Sequence, residues 1–207
     1  MTDKQPQDTE YKILKAAEEE FMLKGYAGAR TTSIAQKAGV THAMFHYYFR
    51  TKDKIFEKIV ADKVGMLKDI IGTSITNPSF SLSETIRSII DDHLEFISKN
   101  RDLPRFLIGE VFSNPERAEF LKVNIGVSAR PMLGLLQEKI DEAVSKGICR
   151  EVSAANLMLD IVSLNVFPYM SSLLVNAVLN GCMDDQERFL EQRKKENYDT
   201  IMRKLKP

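Results

Sequence analysis

The sequence contains no tryptophan, only two cysteines, and no excess of charge of either sign. Cys149 and Cys182 stand far apart, with no C-x-x-C or Cys/His ligand spacing. Neither a disulfide framework nor a zinc module is expected, and the metal and cofactor sets are read as empty. Seven prolines and ten glycines in 207 residues are too few for a collagen-like or low-complexity chain. Lys plus Arg and Asp plus Glu each number 29, which excludes a chain that is basic throughout. Any surface for nucleic acid must therefore be local. G-x-S-x-G, H-E-x-x-H, G-x-G-x-x-G and the phosphate-loop pattern are all missing, and only three histidines exist, so no enzyme is expected. The opening MTDKQPQDTE lacks the apolar core of a secretion signal, so a cytoplasmic protein with reduced thiols is expected. Ile161–Met183 is a 23-residue run without charge, but Asn165, Pro168, Asn176 and Asn180 within it favour a buried or interface helix over a membrane span.

What is present is helix periodicity from end to end. No alternating β-branched run or Asn-Gly hairpin turn occurs, so the fold class is all-α with about nine helices. Ile13, Leu14, Ala17 and Phe21 sit at helical spacing after an Asp8 or Thr9 cap, and Gly25 stops that helix. Thr51 caps a longer helix carrying Ile55 to Ile71, which ends at Gly72. Ser81-Leu-Ser-Glu84 has the form of a capping box. Pro104 and Pro115 suit first helical turns, Pro131 should break or kink its helix, and Pro168 should kink the apolar one opened by Ser153. A final amphipathic helix carries Leu190, Tyr198, Ile201, Met202 and Leu205.

Charge is neutral over the chain but not along it. Lys24 to Lys58 holds seven basic residues against Asp53 and Glu57, a local excess of +5, with Tyr26, Tyr47, Tyr48, His42 and His46 interleaved. Such a segment fits phosphate-backbone binding, although a solvated charged face is the plainer alternative. Within it, Ile34, Ala35 and Ala38 form the inner face of a short helix, and Gly39 permits a sharp turn. Val40 plugs the core, Thr41 caps the next helix, and Phe45 and Tyr48 or Phe49 face inward. His42, Ala43, Met44, His46 and Tyr47 are left pointing out, the spacing of a helix-turn-helix over about residues 30–49.

Residues from about Thr9 to Val60 resemble the DNA-binding domain of the TetR/AcrR family of bacterial regulators. The resemblance rests on Ile13-Leu-x-Ala-Ala17, Phe21, Gly25-Tyr26, Ile34-Ala35, Ala38-Gly39-Val40, Tyr48-Phe49 and Lys52. It implies a DNA-binding domain over 7–67 and a helical effector-binding and dimerisation domain over 68–207. It also implies a repressor released from a palindromic duplex operator by an unknown small molecule. The implied DNA-binding set is Arg30, Thr31, Thr32, Thr41, His42, Ala43, Met44, His46, Tyr47 and Lys52. Thr31 and Tyr47 would touch phosphate, and Thr32 would reach the groove. His42 and Ala43 would read base edges, and Lys52 would clamp the backbone. His46 replaces the tyrosine more usual there, and Arg30 departs from a usual hydroxyl and adds a phosphate contact. Met44 is either a groove contact or a partly exposed apolar residue.

For the second domain, the resemblance implies a pocket among helices between Val64 and Phe167. Candidate wall residues are His93, Phe96, Phe106, Glu110, Phe112, Asn165 and Phe167, although core packing is the better reading of each, and His93 and Glu110 either bind a polar ligand or simply pair. A homodimer face is expected from Leu157, Ile161, Leu164, Val175, Leu179, Leu190, Ile201 and Leu205. The alternative is a helical protein–protein adaptor without DNA binding.

Overall fold

The computed structural model describes residues 6–207, so the opening polar tract through Gln5 lies outside the described residues. Ten helices and no strand occur among them: α1 (Pro6–Gly28), α2 (Thr31–Lys37), α3 (His42–Phe49), α4 (Lys52–Thr76), α5 (Leu82–Lys99), α6 (Leu103–Ser113), α7 (Pro115–Ser145), α8 (Ala154–Met170), α9 (Ser172–Val178) and α10 (Gln186–Leu205). They sort into two units. Unit 1 comprises residues up to Val64 together with Phe106–Lys122, and unit 2 comprises Gly65–Arg105 with Val123–Pro207. The expected division at residue 67 therefore omits a piece of chain that the first unit takes from α6 and α7.

Unit 1 is built on rings. Phe21, Tyr26, Phe56 and Phe106 pack with centroids 5.5–6.2 Å apart, and Ile13, Ile34, Phe45 and Ile55 are fully buried around them. Edge-to-face and offset ring contacts add to the apolar burial itself. Gly25 breaks α1 with a φ of 68°, which L side chains avoid, and turns the chain so that Tyr26 enters this core. Glu20 is buried on α1 and paired with Lys24 (2.6 Å) and with Lys37 of α2 (2.7 Å). Those ammonium hydrogen bonds hold its carboxyl down to about 2, so α1 and α2 are joined by a charged contact at ordinary pH.

Unit 2 packs α5, α8 and α10 over Ile86, Ile89, Ile90, Leu157, Ile161, Ile201 and Leu205. The Ser81–Glu84 capping box forms as its spacing predicts. Three helix-breaking expectations fail. α4 continues past Gly72 to Thr76; the glycine instead allows close approach to the Met132 sulfur. α7 runs through Pro131 because that residue is exposed, where water can reach the carbonyl left without its N–H partner. The apolar run bends by 82° between α8 and α9, at Ser171 rather than at Pro168. No single helix among the described residues is long and apolar enough to cross a membrane. Ser153 also offers no side-chain cap; the Ala154 N–H donates instead to Gln137 Oε1 at 2.7 Å.

One polar chain threads the unit 2 core. Asn165 Nδ2 donates to the Ile90 carbonyl (3.1 Å) and to His93 Nδ1 (3.0 Å), while Asn165 Oδ1 accepts from Asn197 Nδ2 (2.7 Å). Arg193 in turn donates to Asn197 Oδ1. His93 thus sits neutral, and burial pushes it down to about 4. An unfolded chain takes up that proton near 6.5, while the folded one refuses it until near 4. Stability should therefore fall as pH drops from about 6.5 to about 4 and level off below. In urea titrations His93→Gln should flatten that part of the profile; equal slopes for both proteins would place the acid sensitivity elsewhere.

Candidate nucleic-acid interface

α2 and α3 are short and would not hold their positions alone. Ile34 and Ala35 bury one face of α2, and Phe45 and Phe49 bury one face of α3. Val40 and Tyr48 pack partly buried against the same core. Between the helices Gly39 adopts a φ of 67°, and its N–H and that of Val40 return to the Gln36 and Ala35 carbonyls. Thr41 then caps α3, its hydroxyl accepting from the Met44 N–H at 3.2 Å. The expected cap, turn and inner face all form where the spacing puts them.

The outward face carries Arg30, Thr32, Thr41, His42, Ala43, Met44, His46 and Tyr47, all exposed, with Thr31 half-buried beside them. Tyr47 is 82% exposed, its ring meeting only the edge of Tyr48 at 5.3 Å between centroids. His42 Nε2 lies 3.0 Å from Thr31 Oγ1 and 3.2 Å from His46 Nε2. His46 Nδ1 donates to the Arg50 carbonyl at 2.9 Å. Arg50 itself has a φ of 49°, rare for a side-chain-bearing residue, and this bond and its own N–H to His46 O hold it there.

Lys52 departs from its expected role. Its ammonium points inward, donating to the Tyr26 carbonyl (2.8 Å) and the Ala29 carbonyl (3.1 Å) and lying 4.2 Å from the Tyr26 ring centre. Burial lowers its pKa. Tyr26 is the hub of these contacts. Arg117 stacks 3.8 Å from the same ring, Glu110 Oε1 accepts the Tyr26 N–H at 3.2 Å, and the phenol donates to Asp53 at 2.5 Å. Burial and that carboxylate both raise the phenol's pKa. The other cations of the basic segment are paired: Lys24 and Lys37 with Glu20, Lys54 with Glu57, and Lys58 with Asp62. Arg30 and Arg50 are exposed and engaged by no carboxylate among the described residues. Arg50, in the basic segment directly after α3, stands outside the expected DNA-binding set.

The residues expected in an effector wall divide between the two units. Phe106 and Glu110 belong to unit 1, where Phe106 is core and Glu110 pairs with Arg117 at 2.6 Å rather than with His93. His93, Phe96 and Asn165 are buried in unit 2, the first and third bonded to one another. Phe112 and Phe167 face solvent, 86% and 58% exposed. The expected dimer face divides similarly. Leu157, Ile161, Ile201 and Leu205 lie inside the unit 2 core, and Leu164, Val175 and Leu190 are half-buried, leaving Leu179 exposed. A 3.6-residue stripe marks a buried face without saying whether its own chain or another buries it.

Residues 13–59 match the family model described as "Bacterial regulatory proteins, tetR family". The chain is 25% identical over 138 residues, 63% of its length and 69% of the other, to an uncharacterized HTH-type transcriptional regulator, YdgC, of Bacillus subtilis. The structure of the TetR family regulator PfmR from Thermus thermophilus superposes with a TM-score of 0.71 at 19% identity, over 94% of this chain and 99% of that one. FadR from Bacillus subtilis, solved with stearoyl-CoA, superposes with a TM-score of 0.69 at 19% identity, over 94% and 98% of the two chains. These superpositions support the fold.

The inward position of Lys52 has a measurable consequence. Lys52→Ala strips two carbonyls of a donor and the Tyr26 ring of a cation, so it should destabilise unit 1 by about 1–3 kcal/mol. Lys54→Ala, which loses only an exposed pair, should cost about 0–1 kcal/mol. Urea unfolding of the two variants checks this; equal costs would mean the Lys52 bonds contribute no more than a surface pair.

Proposed function

We propose that this chain, residues 13–59 of which match the tetR family model, is a sequence-specific transcriptional regulator that binds palindromic duplex sites as a homodimer and is released by a small-molecule effector. One observation carries the reading: a capped, core-anchored α3 whose outer face holds His42, Ala43, Met44, His46 and Tyr47 with no protein over it. A helix of this kind enters the major groove N-terminus first, reading bases with its front residues. In this reading His42 and Ala43 contact base edges, and Thr31, Thr32 and Tyr47 position the backbone. The phosphate charge contacts fall to Arg30 and Arg50, because Lys52 is occupied. An adaptor would have no use for unpaired arginines flanking such a face, so that alternative is set aside.

Dimerisation is assigned to the apolar surface that unit 2 leaves uncovered: Leu159, Phe167, Leu173, Leu174 and Val178 on α8 and α9. This much exposed apolar side chain on one bent pair is more than a lone soluble chain normally tolerates. For the effector, two clefts in unit 2 are candidates. The larger, about 640 Å³, includes Lys139, whose ammonium already donates to Asn77 O, Phe80 O and Thr85 Oγ1. The smaller, about 520 Å³, brings Arg101 and Arg105 beside Tyr169, Leu173 and Phe189. Asp102 also lines this cleft and pairs with Arg105 at 3.1 Å, which leaves Arg101 beside the apolar wall to meet an anionic head with an apolar tail, and the second cleft is taken as the seat. A ligand favouring one of two arrangements of the dimer would then shift the population away from the DNA-competent state.

Two experiments test this reading. Selection from a randomised duplex library should return a palindrome, and His42→Ala should lose the preference at one position in each half, worth about 1–3 kcal/mol of discrimination. No enriched sequence for the wild type would end the regulator reading. Sizing with light scattering should show a dimer for the wild type and monomers for Leu174→Asp, since an unpaired charge buried in an interface costs about 3–5 kcal/mol. A dimeric Leu174→Asp protein would move the interface off α9.

A further inference from the structure

We infer that His42 and His46 form a chelating site for a divalent transition-metal ion of the zinc–nickel–copper class on the exposed face of α3. The two residues are four apart on one helix, so their side chains rise from the same face. Their Nε2 atoms approach to 3.2 Å, with the rings nearly perpendicular at 80° and centroids 4.4 Å apart. Two imidazole nitrogens each about 2.0–2.1 Å from a tetrahedral ion are separated by about 3.3 Å, so the observed spacing is the bite such an ion needs, with the ion set off the line joining them.

The proton arrangement supports the same assignment. The Arg50 carbonyl can only accept, so His46 Nδ1 carries the hydrogen in the 2.9 Å contact between them. With the hydrogen on Nδ1, Nε2 is the nitrogen left to ligate, and it faces His42. Metal-binding imidazoles are oriented in this way, one nitrogen donating to a carbonyl while the other ligates. Thr31 Oγ1 stands 3.0 Å from the same His42 Nε2, so an ion bound there takes the place of that hydrogen bond. Both histidines are exposed, so an ion arrives without unfolding anything. No group of three or more His, Cys, Asp or Glu side chains suited to a metal occurs among the described residues. The site is therefore an open two-nitrogen chelate, its remaining positions filled by water. Imidazole pairs suit zinc, nickel and copper and have little use for magnesium or calcium. The site itself is independent of the DNA-binding reading.

The test uses the full-length, tag-free chain with Cu²⁺, Ni²⁺, Zn²⁺ and Mg²⁺ as probes. Calorimetry should show one Cu²⁺ per chain, with Cu²⁺ held more tightly than Ni²⁺ or Zn²⁺ and Mg²⁺ not held. His42→Ala and His46→Ala should each weaken Cu²⁺ binding at least tenfold, while Cys182→Ser leaves it unchanged. Copper electron paramagnetic resonance should report two imidazole nitrogens in the wild type and one in each histidine variant. In the unmutated protein, a few per cent of Cu²⁺ should broaden the proton signals of His42 and His46 and spare those of buried His93. Unchanged Cu²⁺ affinity in the His42→Ala/His46→Ala protein, loss of the site on Cys182→Ser, or broadening that misses both α3 histidines would overturn the assignment.

Discussion

Tyr26 is the residue on which the geometry of unit 1 turns. Its ring meets the Lys52 ammonium and the Arg117 guanidinium, its N–H is held by Glu110, and its hydroxyl by Asp53. A phenol in an apolar core needs a partner for its hydroxyl, and a cation lowered into that core needs carbonyls and a ring face. Each of these groups answers the need of another, so α1, α4, α6 and α7 are tied at one point. Lys52 also joins the Tyr26 and Ala29 carbonyls, and so fixes the turn that leads into α2. The outer face of α3 is accurate because the chain that feeds it is fastened here.

Much of that face was legible without coordinates, because its determinants are local. Gly39 makes the turn, Thr41 caps, and Phe45 points inward, each within a few residues of what it governs. The role of Lys52 was not legible, since its partners lie 26 and 23 residues away and a lysine at a helix start has the same local spacing whether it faces a phosphate or a carbonyl. Glu110 lies 84 residues from the N–H it caps, and no periodicity announces such a pairing. The helix breakers failed for the opposite reason. Gly72 and Pro131 carry real local preferences, but close packing against Met132 and access to water outweigh them.

Unit 2 shows how polarity can mislead a search for a ligand seat. His93 and Asn165 read as groups waiting for a partner. In the folded chain they already have one another, with Asn197 and Arg193 completing the run across α5, α8 and α10. A buried polar network of this kind specifies which helices pair and in what register, although Arg193 Nε at its end is buried without a hydrogen-bond partner. The apolar run of α8 and α9 has the reverse character. Its inner residues make the core and its outer ones remain bare, so one stretch of sequence serves both as an interior and as an exposed apolar surface.

The inclusion of Phe106–Lys122 in unit 1 bears on how the protein is made. During synthesis α1, α2 and α3 are made before Phe106, Glu110, Arg117 and Leu121, which complete their core and follow some forty residues after the first segment ends. Until then Phe21, Tyr26 and Phe56 lack part of their cover. The head of this protein is therefore not a module that folds on emergence and awaits a body. It is finished by residues reached only after the first helix of the body has been made, so a recombination event that exchanged the first 67 residues alone would carry across an incomplete core.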